Sequence, residues 1–383
     1  MARVLVVANS TWNLQNFRAG LVRELLRAGH EVITCSPDPN GLKIEGKQPR
    51  HRFFRMDRSG TDPRKDIASF FQMLRIVSDE RPDVFLGFTI KPNIYGCIAC
   101  RMRNVAAIPN VSGLGTAFLG GSAFRRTILL FYRFAFARAK VVFFQNPEDA
   151  GLFVAECAVS PAQARVLPGS GISLSEFSPT EVPRELTFLM IARLLGDKGV
   201  REYVTAAKEV KAKYPHATFS LLGDLDRQNR SAIREEELER WMRESAVEYL
   251  GVTSDVRPFI RKAAAVVLPS YREGLPRTLL EAAAMGRPLI GTDVPGCRQV
   301  IRDGVTGFLC EARSDSSLAL AMERFVRATY ETREQMGWNA RRMVEEEFDE
   351  RQVVNAYLEE ISRAVSSTAG PEPLESNSSN EIT

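Results

Sequence analysis

Short apolar, β-branched runs alternate along the chain with longer stretches whose apolar positions recur at helical spacing. Residues 3–8 (RVLVVA) read as a first buried strand and 16–28 as a helix. Residues 31–35 read as a second strand, starting past the Gly29-His30 helix stop. The runs 83–87, 106–111 and 140–145 are further strands, each followed by a helical pattern. The alternation then restarts, with strands at 186–191, 218–222, 247–250, 265–269 and 288–291, each again followed by a helix. This rhythm predicts α/β architecture with parallel sheets covered on both faces. The Ser- and Pro-rich stretch 170–184 reads as a linker. The predicted organisation is therefore two doubly wound, Rossmann-like domains, 1–182 and 183–348, facing an interdomain cleft. A final helix follows over 349–365, then a tail over 366–383 too poor in apolar residues to pack. In such folds ligands sit at the carboxyl ends of the strands.

Composition narrows the possibilities. Fifty-one Lys and Arg against 47 Asp and Glu give a net charge of +4, which makes no case for a nucleic-acid partner. Six Cys in 383 residues form no disulfide framework. Cys97 and Cys100 lie in an apolar stretch, which predicts buried thiols rather than a zinc site. No run reaches the ~18 apolar residues of a membrane span. The apolar run 1–8 is too short for a secretory signal, so the cytosol is the expected compartment.

Two groups of charged residues are poorly explained by stability alone. Glu281 is the one charge beyond the first turn of an otherwise apolar helix near Pro276–Met285. A buried carboxylate is costly unless paired or hydrogen-bonded. Glu273 lies just before that helix and, taken alone, suits a helix N-terminus. Together, two carboxylates at a strand-to-helix turn favour a polyhydroxy ligand, because ionised carboxylates accept from hydroxyls. Arg193 falls at the end of a buried strand and Lys198 near the start of the next helix, where a cation opposes the helix dipole. An anion held between them, such as a phosphate, explains both positions. Two carboxylates plus two cations on adjacent loops suit a nucleotide diphosphate sugar.

Arg193, Lys198 and the stretch EGLPRTLLE (Glu273 to Glu281) resemble the retaining nucleotide-sugar glycosyltransferases of family 4, which have the GT-B fold. The resemblance covers nearly the whole chain and is strongest from Phe188 to Leu309. The stretches FTIKPNIYG (88–96), VSGLGTAF (111–118) and LPGSGI (167–172) resemble its bacterial subgroup. Those enzymes are undecaprenyl-diphosphate-linked N-acetylgalactosaminyl and hexosyl transferases of surface-polysaccharide and glycan assembly.

The resemblance implies that Glu281 binds the ribose hydroxyls of a UDP-sugar donor. It implies that Glu273 faces the transferred sugar, with the Gly274 and Leu275 N–H groups near sugar or phosphate. Arg193 and Lys198 would neutralise the leaving diphosphate, and Gly171 would approach the donor. Glu273, Arg193 and Lys198 are thus the expected catalytic residues, with no metal and no cofactor. The final helix would cross back onto the first domain. The acceptor would be a lipid-linked saccharide at the inner face of the cytoplasmic membrane, where the protein would bind peripherally.

Acceptor contacts are expected from Asn16, Arg18, Lys91, Asn93, Ser112 and Gly113. Asn16 equally suits a helix start, and Lys91 equally suits a solvated side chain before Pro92. Relatives often carry a His in the loop where this chain has Val-Ser-Gly-Leu-Gly, so Ser112 or a backbone group occupies that place. They often carry paired glycines where this chain has NSTWNLQN (9–16).

Several other motifs have ordinary explanations. Gly223–Asp226 imitates a metal-binding D-x-D but is equally explained as turn and capping chemistry. The aromatic and basic segment 118–140 packs on a core or rests on anionic lipid. His30, His51 and His216 sit at strand starts or turns and offer no Ser-His-Asp triad. No G-x-G-x-x-G follows the first strand, which argues against a dinucleotide enzyme. A UDP-sugar 2-epimerase of the same architecture and a non-catalytic polysaccharide-binding protein remain the rival readings.

Overall fold

The structure is a computed structural model that describes residues 1–57, 62–114, 122–227, 229 and 231–366. The first domain carries β1 (Arg3–Val7), α1 (Thr11–Phe17), α2 (Ala19–Arg27), β2 (Glu31–Ser36), β3 (Arg50–Phe53) and α3 (Pro63–Glu80). It continues with β4 (Val84–Phe88), α4 (Ile90–Arg103), β5 (Ala106–Val111), α5 (Ser122–Phe136), β6 (Val142–Phe144), α6 (Pro147–Ala155) and β7 (Ala164–Val166). The second carries β8 (Thr187–Ile191), α7 (Val200–Lys213), β9 (Thr218–Leu222), α8 (Glu235–Arg243), β10 (Glu248–Tyr249), α9 (Arg257–Lys262) and β11 (Ala265–Leu268). There follow α10 (Arg277–Ala284), β12 (Leu289–Thr292), α11 (Cys297–Val300), β13 (Gly307–Cys310), α12 (Asp315–Arg327), α13 (Tyr330–Glu347) and α14 (Glu350–Ser366).

Both sheets are parallel: seven strands in the order β3-β2-β1-β4-β5-β6-β7 and six in the order β10-β9-β8-β11-β12-β13. Strand order reverses between β1 and β4 in one sheet and between β8 and β11 in the other, so each sheet opens a crevice there. Apolar clusters cover both faces of each sheet, as near-continuous apolar strands require.

Three strands escape the sequence pattern. β3 is a polar edge strand, RHRF, while β7 is a short piece without an apolar run. β13 opens on Gly307, where a Cβ would lie 1.7 Å from the Leu289 carbonyl. The helix expected at 16–28 is instead two helices. Ser10 caps α1 by accepting from the Asn13 N–H, and the chain breaks at Arg18 (φ −132°) before α2. Phe118 and the tail beyond Ser366 lie outside the described residues. Cys97 and Cys100 are free and buried.

After β13 the chain adds α12 and α13 to the second domain, and α14 then returns to the first. Val353, Val354, Tyr357 and Ile361 of α14 join the cluster built on β1, β4 and β6. The crossing is pinned by backbone bonds, Ile172 N–H to the Phe348 carbonyl at 2.9 Å and Glu350 N–H to the Ile172 carbonyl at 3.1 Å.

The linker is anchored by a charge. Arg287 is 0% exposed and donates to the Glu181 carbonyl at 2.6 Å, to the Thr180 carbonyl at 2.8 Å and to the Thr180 hydroxyl. Truncating it removes the donor of three part-buried acceptors and empties the fully buried site of its side chain. Arg287→Ala should therefore lower the unfolding free energy by about 3 kcal/mol, read by urea titration. A change within about 0.5 kcal/mol, as for an ordinary surface position, would contradict the anchoring role.

Candidate active site

The crevice of the second domain is lined by the loops that follow β8 and β11. After β8 the chain turns through a single 3-10 turn, Gly196–Lys198, and Gly199 adopts φ +75° to start α7. A Cβ on Gly199 would lie 2.1 Å from the Pro269 carbonyl, so the two loops are in contact through bare backbone. This contact brings Lys198 to Glu273: Nζ to Oε1 is 2.5 Å, with both side chains largely buried. The Ser270 hydroxyl donates to the same Oε1 at 2.6 Å.

Arg193 sits apart from that pair. Its Nη1 lies 2.6 Å from the Asp226 carboxylate, and the guanidinium is half exposed. The D-x-D-like turn thus spends Asp226 on Arg193.

On α10, Glu281 lies one turn below Arg277, with Oε1 2.9 Å from Nε, and both side chains are mostly buried. Burial raises the Glu281 carboxyl above its ordinary value, and the Arg277 guanidinium opposes the shift. Arg277 also reaches the linker, with Nη1 3.3 Å from the Ser170 hydroxyl and 3.4 Å from the Gly171 carbonyl. Gly171 itself is explained by packing: at φ +67°, its Cβ would lie 2.4 Å from Glu350 Cα at the start of α14.

The first domain grips the Glu273 loop from across the cleft. The Asn146 side-chain amide donates to the Gly274 carbonyl at 2.8 Å. Asp149, buried in the first turn of α6, forms an ion pair with Arg272. Burial raises the Asp149 carboxyl, and Arg272 and the Asn146 amide act in the opposite direction. Gly113 (φ +119°) and Gly274 meet with no room for a side chain, since a Cβ on Gly274 would lie 2.6 Å from the Ser112 carbonyl. Leu275 closes on Gly169 in the same way. Among the described residues, the Gly274 and Leu275 N–H groups have no hydrogen-bond partner.

The expected acceptor residues divide. Asn16 turns its amide back to the Trp12 carbonyl at 2.8 Å, inside α1. Lys91 is paired with Asp66 at 2.6 Å. Asn93 is 0% exposed and donates to the Asn110 carbonyl at 2.8 Å, so it braces β5 from within. Ser112 donates to Asn110 Oδ1 at 3.1 Å and lies 3.4 Å from Nη2 of Arg18. Arg18 is buried against the Phe88 ring, 3.9 Å from its centroid, and desolvation pulls its pKa down to about 10.

Sequence reasoning missed Arg272, Asp149, Asn146 and Arg277. Arg277 lies inside the motif EGLPRTLLE and Arg272 one residue before it. Asn146 and Asp149 read as helix-capping residues, and Asn146 does accept from the Asp149 N–H at 2.7 Å. Nothing in their spacing announces a partner 128 residues away for Asn146, or 123 away for Asp149.

Known proteins resemble this chain in sequence and in fold. Residues 15–169 match the glycosyl transferase 4-like domain, and residues 185–328 match glycosyl transferases group 1. N,N'-diacetylbacillosaminyl-diphospho-undecaprenol alpha-1,3-N-acetylgalactosaminyltransferase of Campylobacter jejuni is 25% identical over 338 residues, 83% of this chain and 87% of the relative. UDP-Gal:alpha-D-GlcNAc-diphosphoundecaprenol alpha-1,3-galactosyltransferase of Escherichia coli is 25% identical over 279 residues, 68% of this chain and 70% of the relative. Among solved structures, sucrose-phosphate synthase from Thermosynechococcus elongatus superposes with a TM-score of 0.79 at 18% identity, covering 96% of this chain and 100% of that one. HepE from Anabaena, in complex with UDP, superposes with a TM-score of 0.75 at 16% identity, covering 95% and 100%. The structural likenesses establish the fold, and the two matched domains establish the family: the chain belongs to the group 1, family 4-like glycosyltransferases and is a glycosyltransferase with the GT-B fold.

Proposed function

We propose that this glycosyltransferase moves an N-acetylhexosamine or hexose from a UDP-sugar to a lipid-diphosphate-linked glycan, with retention of anomeric configuration. The observation that carries the reading is the Lys198–Glu273 pair at the carboxyl ends of β8 and β11, within the family's donor motif. The curated relatives named above act on diphosphoundecaprenol-linked sugars, and one of them is named for UDP-galactose.

Breaking the bond to C1 builds negative charge on the diphosphate and positive charge on the sugar ring. Lys198 and Arg193 stabilise the first, exchanging their carboxylate partners for phosphate oxygens. Released from Lys198, Glu273 turns to the sugar hydroxyls. The unpartnered Gly274 and Leu275 N–H groups supply further donors for the leaving group. Glu281 accepts from the ribose hydroxyls. The leaving phosphate takes the acceptor hydroxyl's proton on the same face of the sugar, which leaves the anomeric configuration unchanged. Arginine and lysine supply the positive charge, so the reaction runs without a metal.

The outer face of α5 suits a membrane. Leu130, Phe131 and Phe134 are exposed beside Arg126, Arg133 and Arg138, and residues 122–140 contain no Asp or Glu. Met102 of α4 and Phe71 of α3 continue the apolar surface on neighbouring helices. Among the described residues, no helix is long and apolar enough to cross a membrane. Peripheral docking on anionic lipid at the cytoplasmic face would bring the cleft to a lipid-linked acceptor.

Two experiments test these assignments. A panel of UDP-sugars with a lipid-linked acceptor identifies the donor, and the anomeric proton couplings of the product read retention or inversion. In that assay Lys198→Ala should lower kcat by about 100-fold or more. Glu281→Ala should weaken UDP binding by about tenfold or more. Ionised Glu281 accepts through both oxygens, and protonation turns one of them into a donor and removes the charge. UDP affinity should therefore fall on acidification from a pH above the ordinary Glu value of about 4.3, and Glu281→Gln should abolish that limb. Taken alone, protonation of this buried group favours the folded state, because burial raises its pKa. Wild-type kinetics in both Ala variants, or an inverted product, would overturn the reading.

For the docking face, the protein should sediment with phosphatidylglycerol vesicles and not with phosphatidylcholine vesicles. Replacing Leu130, Phe131 and Phe134 together with Ser should release it. Equal sedimentation of both proteins would remove α5 from the membrane.

A further inference from the structure

Arg18 is a buried and poorly satisfied charge. It ends α1, is 2% exposed and lies flat on Phe88, with the guanidinium carbon 3.9 Å from the ring centroid. Its Nε has no hydrogen-bond partner, and its one polar contact is Nη2 to the Ser112 hydroxyl at 3.4 Å. No carboxylate among the described residues forms an ion pair with it. A guanidinium carries five N–H donors, and burying it so poorly paired costs free energy that an apolar side chain of similar size would not.

Glu350 is the nearest acid in effect, but its carboxylate rests on Gly20 in the first turn of α2, where a Cβ would lie 2.0 Å from it. It therefore serves the helix terminus rather than the Arg18 fork. From the opposite domain comes Arg277, which lies 5.6 Å from the centroid of the Phe17 ring, next in sequence to Arg18. Among the described residues Arg277 forms an ion pair with Glu281 and acts at longer range on Glu350, and its Nη1 contacts of 3.3 and 3.4 Å are long. Two guanidinium groups, one from each domain, thus come near each other at the seam, and Arg18 reaches Ser112 there.

We propose that Arg18, Arg277 and the Ser112 hydroxyl form a second phosphoryl-binding site, separate from the donor diphosphate site at Lys198 and Arg193, which holds the diphosphate of the lipid-linked acceptor. The assignment to the acceptor rests on the function proposed above. The anion site itself rests on Arg18. Planar arginine forks match phosphate oxygens in geometry and charge. Because the two arginines belong to different domains, an acceptor diphosphate bound there also holds the domains face to face.

The test uses the full chain saturated with UDP, so that the donor site is filled. Farnesyl diphosphate should raise the melting temperature of this complex, and inorganic pyrophosphate should do so at higher concentration. Arg18→Met should weaken farnesyl diphosphate binding by about tenfold or more and leave UDP affinity unchanged. The same variant, freed of an underpaired buried charge, should melt at or above the wild-type temperature without ligand. Arg18→Lys keeps the charge, loses the fork and should lie between the two. No diphosphate-dependent shift in the wild type would overturn the site. Loss of UDP affinity in Arg18→Met would assign Arg18 to the donor instead. An Arg18→Met protein that melts well below wild type yet binds farnesyl diphosphate normally would make Arg18 structural. Failure of the wild type to bind UDP at all would instead strike the proposed function.

Discussion

The ion pair between Lys198 and Glu273 ties the two loops of the donor crevice together. It joins the loop after β8 to the loop after β11, two strands that are neighbours in the sheet and not in sequence. Everything else in the crevice follows the same logic of charges held in local pairs: Arg193 with Asp226, Arg277 with Glu281, Lys198 with Glu273. Such pairing keeps buried charges tolerable while the site is free. In the proposed reaction a diphosphate would enter by exchange, replacing one anion with another around a cation already in position. Little reorganisation would then be left for the chemical step, which is the condition under which fixed charges contribute most to catalysis.

The seam between the domains is built differently, from missing side chains and buried polar groups. Gly113 against Gly274 lets the backbones approach closely, and Gly169 makes room for the Leu275 side chain. Asn146 and Asp149 then hold Gly274 and Arg272, the residues on either side of Glu273. The first domain therefore holds the Glu273 loop directly. A change in domain spacing would be felt at Glu273 through these two neighbours, so the positions of Glu273 and of the first domain are linked by short contacts.

Much of this was legible in the sequence. Apolar strands buried on both faces announce parallel sheets, and both sheets have that form. Glu273, Glu281, Arg193 and Lys198 stood out because each is costly where the local pattern puts it, and the structure gathers them on the two loops and the helix lining one crevice. Properties set by partners distant in sequence were not legible. Asn93 lies beside Lys91 in the chain yet is sealed behind β5. Asp149 looks like a helix-capping acid until Arg272 arrives from the other domain. Arg18 is expected to contact the acceptor, but nothing in its neighbourhood shows that the helix breaks there and that the side chain lies buried on Phe88. β3 was invisible because an edge strand with polar residues lacks the alternation that marks a strand.

A crystal structure of the protein with UDP bound would test the exchange of anions most directly. The diphosphate should lie within about 3 Å of Lys198 Nζ and of the Arg193 guanidinium, with Glu273 released from Lys198 and Glu281 on the ribose. A nucleotide bound elsewhere, or one that leaves the Lys198–Glu273 pair intact, would contradict it.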